Sequence, residues 1–104
     1  VGRWWDDKSV VHTVGISHDQ QRKMDTIFDA HKGAILATYK TYLGEKAKLD
    51  ALSKQTSVDQ ARLFAAIDSV SQAKAALQKA NTQMLLEIRE QMQPGQITKL
   101  EELQ

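Results

Sequence analysis

From Ser17 to Ser53 the apolar residues Met24, Ile27, Phe28, Ile35, Leu36, Tyr39, Tyr42, Leu43, Leu49 and Leu52 recur at steps of three and four. That period places them on one face of a helix, and no alternating pattern competes for a strand. Ser17 and Gln20 open the segment as a capping box, the serine hydroxyl accepting from a first-turn amide and the glutamine reaching back to the Ser17 N–H. An unbroken helix over 18–53 would be roughly 54 Å long at 1.5 Å per residue. Gly33 and Gly44 fall inside it, each costing about 1 kcal/mol relative to alanine, and they suggest a close approach or a bend.

A second stretch of similar reach follows. Ser57 to Gln60 repeats the serine-to-glutamine spacing, and Leu63, Ile67, Val70, Leu77, Met84, Ile88 and Met92 form a stripe with alanines beside it. Two rods of matched length joined near Thr56 are most simply paired as an antiparallel hairpin. Pro94 suits the first position of another helix, in which Ile97, Leu100 and Leu103 share a face. At the other end Asp6 can cap a short helix that stops at Gly15, and of the adjacent Trp4 and Trp5 at least one should pack over the ends of the long helices. The expectation is one all-α domain over 1–104, with helices at roughly 7–14, 18–53, 58–92 and 94–104.

With 104 residues the chain has little interior unless it pairs with a copy of itself. A net charge of +1 gives no basic footprint for nucleic acid, and no apolar run is long enough for membrane insertion. The absence of cysteine removes thiolate ligands and nucleophiles. The chain opens on Val1 and not Met, which points to a trimmed or processed form with any export signal removed.

Few residues suggest chemistry. No serine sits in a nucleophile elbow, no glycine-rich phosphate loop occurs, and no catalytic residue is assigned, so the chain reads as non-enzymatic. His12, His18 and His31 are the strong nitrogen donors, without a His-Glu-x-x-His or an i, i+4 pair. A metal site would have to be assembled by folding or dimerisation, and the plain reading of His31 is a histidine buried beside the helical seam. Residues 32–54 are locally basic, with five lysines against Glu45 and Asp50. Lys32, Lys40, Lys46 and Lys48 interleave there with Tyr39 and Tyr42, either as an ordinary solvated face or as a surface for partly unfolded or acidic chains.

Ile16-Ser17-His18-Asp19-Gln20 and Met92-Gln93-Pro94-Gly95-Gln96 resemble two degenerate copies of the Leu-Thr-x-x-Gln motif of the Spy/CpxP family of bacterial periplasmic proteins. The order of parts, from a tryptophan-bearing start to Leu85-Leu86-Glu87-Ile88-Arg89-Glu90 before the second motif, is also similar to that family and its heavy-metal-sensor and zinc-resistance relatives. Isoleucine and methionine stand for leucine, and Gln93 replaces threonine and should cap poorly. The resemblance implies a cradle-shaped periplasmic homodimer and three roles. The first is a stress protein that binds unfolded clients without ATP or cofactor, on the face bearing Lys32, Tyr39, Lys40, Tyr42, Lys46 and Lys48. The second is a sensor or buffer of zinc or another transition metal, in which His12 and His31 share an ion with a carboxylate or methionine. The third is a helical module that modulates an envelope sensor.

Overall fold

The computed structural model describes residues 2–104. Among them the regular elements are all helical: a 3-10 turn at Trp4–Asp6, then α1 (Lys8–Val14), α2 (His18–Ser53), α3 (Gln60–Arg89) and α4 (Pro94–Glu102). As the matched stripes indicated, α2 and α3 pack together as a hairpin.

The helix ends follow from local chemistry, with two changes from the sequence reading. Asp7, not Asp6, caps α1, its carboxylate accepting from Ser9 N at 2.9 Å and Val10 N at 3.3 Å. Asp6 instead closes the 3-10 turn and pairs with Arg3 at 3.0 Å. At the start of α3, Asp59 takes the role expected of Ser57: its carboxylate accepts from Arg62 N at 3.2 Å and its carbonyl receives the Leu63 N–H at 2.9 Å. A carboxylate is the stronger acceptor and also complements the positive end of the helix, so it prevails over a serine two residues earlier. Gly15 ends α1 at φ +79°, the left-handed conformation that lets its N–H return to the Val11 carbonyl. Gly33 and Gly44 do not mark a close approach, because an added Cβ at either would meet nothing within 4 Å.

The chain divides into two compact units, one holding the residues up to His31 together with Gln83–Gln104, the other Lys32–Thr82. The first has a real interior: Trp5, Val14, Ile16, Met24, Met84 and Ile88 are buried, all but Ile16 at 2 % exposure or less and Trp5 at 0 %. Trp5 anchors it. Its indole Nε1 donates to Asp25 Oδ1 at 2.7 Å, its carbonyl accepts from Gln21 Nε2 at 2.8 Å, and its ring meets Phe28 edge-on at 6.0 Å. This is the tryptophan packing expected from the sequence, with the polar edge of the ring satisfied as burial requires. In the second unit Ala73 is the buried hydrophobic residue among those described, while Leu36, Tyr39, Leu43, Phe64 and Ile67 are each more than two-fifths exposed.

Candidate functional site

The first unit holds two polar arrangements that tie its helices together. Ser17 and Gln20 form the reciprocal cap read from the sequence, with Gln20 N donating to Ser17 Oγ at 3.1 Å and Ser17 N to Gln20 Oε1 at 2.9 Å. At the second motif Gln93 N donates in the same way to Gln96 Oε1 at 2.9 Å, and the Gln96 N–H is taken by the Gln93 main-chain carbonyl at 3.0 Å. The two glutamine side chains then bond to each other. Gln20 Nε2 donates to Gln96 Oε1 at 2.7 Å and Gln96 Nε2 to Gln20 Oε1 at 3.0 Å.

The remaining amide protons are also placed symmetrically. Gln20 Nε2 donates to the Gln91 carbonyl at 2.8 Å, and Gln96 Nε2 donates to the Gly15 carbonyl at 2.7 Å. Each acceptor lies two residues before the other motif's capping residue, so the clasp repeats itself about a local twofold relation. Each amide thereby uses both of its protons and accepts two hydrogen bonds, the full capacity of a primary amide. Ile16 beneath it is 6 % exposed, which keeps the apolar role of the motif's first position. Pro94 occupies the first turn of α4, where its missing N–H has no cost. Met92 is half-buried beside it. Nearby, hydrogen bonds from Arg22 and Lys23 to Asp19 hold its carboxyl below the usual carboxylate range.

The second arrangement joins α2 to α3 directly. His31 Nε2 lies 2.6 Å from Glu87 Oε2, with the histidine side chain 24 % exposed. Glu87 Oε2 is itself closed off from water and has no aligned hydrogen-bond donor, a condition shared among the described residues only by Asn81 Oδ1. At that separation the imidazole nitrogen and the carboxylate oxygen form a close polar pair that ties α2 to α3. The sequence placed His31 beside the seam, where it is half-buried, but did not identify Glu87 as its partner.

The other histidines lie elsewhere in the unit. His12 and His18 are exposed and line, with Asp6 and Lys8, an open cleft of about 730 Å³ between α1 and the start of α2. The structure therefore gives His12 a histidine and an aspartate as cleft neighbours, and gives His31 a glutamate. In the Lys32–Thr82 unit, Tyr42 and Lys46 come together, the ammonium 5.5 Å from the ring centre. Lys48 pairs with Glu45 at 3.5 Å, and Lys32, Tyr39 and Lys40 all lie on the exposed surface of α2.

A family model described as heavy-metal resistance matches residues 9–99, from the first turn of α1 into α4. The chain belongs to the heavy-metal resistance family. That family lies in the Spy/CpxP-like helical group, which the two glutamine motifs had indicated. No curated protein and no solved structure matches the chain. No helix among the described residues is long and apolar enough to cross a membrane.

For this member of the heavy-metal resistance family the supply of metal donors is narrow. Among the described residues no group of three or more histidines and carboxylates converges. The His31–Glu87 pair places a ring nitrogen and a water-shielded carboxylate oxygen face to face across two helices. Sequence reasoning missed Glu87 because it stands 56 positions from His31. Its one available signal was its place on α3, next to Ile88 on the buried stripe.

Proposed function

We propose that the chain is a non-enzymatic, metal-responsive protein of heavy-metal resistance, in which His31 and Glu87 hold a transition-metal ion across the α2–α3 seam. The observation that carries this reading is the placing of an imidazole nitrogen 2.6 Å from the water-shielded Glu87 Oε2, two donor types that ligate transition metals. The two donor types suit the ion, since imidazole nitrogen and carboxylate oxygen both ligate zinc at about 2.0–2.2 Å, and the pair supplies two of the ligands it needs. Two donors on one tetrahedral ion stand roughly 3.3 Å apart, so the pair must part by less than an ångström to admit it. An ion there would neutralise the carboxylate and bridge the two helices, and water or a second copy would complete the coordination. Calorimetric titration of the full chain with zinc tests this. One site is expected, weakened at least tenfold by His31→Ala and by Glu87→Gln and unaffected by His12→Ala; the reverse pattern would remove the assignment.

The protein is proposed to work in the periplasm, as the family resemblance suggests, and as a homodimer. The chain exposes 7312 Å², about 1,400 Å² more than the ~5,900 Å² expected of a monomer of 11.7 kDa. The excess surpasses the ~800 Å² per partner of a standard interface. Leu36, Tyr39 and Leu43, spaced as one stripe of α2, supply apolar surface for it. Sedimentation equilibrium at micromolar concentration should give twice the chain mass, and Leu36→Ser with Tyr39→Ser and Leu43→Ser should give a monomer of unchanged helicity. A monomeric parent chain would contradict the proposal. A second reading, the binding of partly unfolded chains, draws support from the same exposed stripe and the lysines beside it.

A further inference from the structure

We propose that the groove between α2 and α3 within residues 32–82 binds a long-chain fatty acid as its carboxylate. The groove is open to solvent along one side and has a volume of about 660 Å³, room for one small ligand. Leu49 from α2 and Leu63, Ile67 and Val70 from α3 give it an apolar lining. Lys46 and Lys74 stand on it from opposite helices, and Lys46 is positioned by its contact with the Tyr42 ring at 5.5 Å. The one acid in the lining, Asp50, is already paired with Lys54 at 2.9 Å. The charge left to a ligand is therefore cationic over an apolar lining, the complement of an anionic head on a hydrocarbon tail.

Length and position favour this occupant over a helix or a second copy. Along α2 the lining runs from Tyr42 to Ser53, roughly 17 Å, which suits one extended acyl chain but gives a docked helix few anchors. The exposed Leu36, Tyr39 and Leu43 stripe assigned to self-association lies outside the lining.

The test is a nuclear magnetic resonance titration of the isotope-labelled full chain with laurate, kept below its micelle-forming concentration. The expected result is a saturable set of amide shifts confined to the groove, at Tyr42, Leu49, Ile67 and Lys74. Lys46→Glu with Lys74→Glu should weaken laurate about tenfold while leaving dodecanol unchanged. Zinc affinity should be the same with and without laurate, which keeps this result separate from the metal assignment. Absence of saturable shifts, shifts spread to Leu36, Phe64 and Leu86, equal affinity for dodecyltrimethylammonium, or dissociation of a dimer by laurate would each overturn the proposal.

Discussion

Replacing Trp5 by alanine is expected to destabilise the protein by about 4 kcal/mol, the upper range for truncating a fully buried aromatic side chain. The ring has 0 % exposure, and its loss opens a cavity against Phe28 while removing the Nε1 donor that Asp25 accepts at 2.7 Å. Arg3 remains 3.6 Å from Asp25, so the carboxylate retains a cationic neighbour and the cost is mostly that of the cavity. For a chain of this length the melting temperature should fall by roughly 20 °C. Trp5→Phe is the informative companion. It keeps most of the apolar volume and loses the hydrogen bond, for about 1–2 kcal/mol. Thermal and urea unfolding of both variants give the comparison, and a loss below 1 kcal/mol for the alanine variant would show that the first unit does not depend on this ring.

Gln96→Ala should cost about 3 kcal/mol, more than the ~1 kcal/mol usual for a single hydrogen bond. The substitution orphans four groups at once: the Gln93 N–H, the Gly15 carbonyl, and one donor and one acceptor site of Gln20. Gln20→Ala should behave alike, since it strands the Ser17 N–H and the Gln91 carbonyl in the corresponding places. Combining the two should cost clearly less than their sum, because once one amide is gone the other has little left to hold. A double-mutant cycle by urea unfolding measures this. Strict additivity would mean that the two caps act separately and the clasp contributes nothing as a unit.

These two sites show where sequence reasoning succeeds and where it stops. The bond between Ser17 and Gln20 spans three residues of one helix start, so local spacing was enough to find it. That Gln20 and Gln96 satisfy each other depends on how the chain folds between two positions 76 apart. Recurrence of the motif marked both glutamines as important, but no periodicity reports which side chains meet. Helix boundaries erred where acceptors competed: Asp7 prevailed over Asp6 and Asp59 over Ser57, choices set by which carboxylate reaches a free amide. At the other end of α3, the stripe continues in sequence to Met92, but the helix stops at Arg89 and the next residues turn toward α4.

The same limit governs the His31–Glu87 pair. His31 was legible as a donor, but its companion across a hairpin depends on register, and a shift of one turn, about 5.4 Å, exchanges one partner for another. His12, the other nitrogen donor considered for a metal, lies in a cleft with His18 and Asp6. The basic stretch was visible from composition; its division into a Tyr42–Lys46 contact, a Lys48–Glu45 pair and an exposed Tyr39 required coordinates.

The central proposal is that one imidazole and one carboxylate, brought face to face by α2 and α3, receive a metal ion. The most direct measurement is the nitrogen-15 chemical shift of the histidine rings as zinc is added to the full chain. Movement of His31 Nε2 to a metal-bound position, complete near one equivalent and abolished by Glu87→Gln at that concentration, with the His12 and His18 rings unmoved, is the predicted result. An unmoved His31 ring, with zinc taken up at His12 and His18 or not at all, would contradict it.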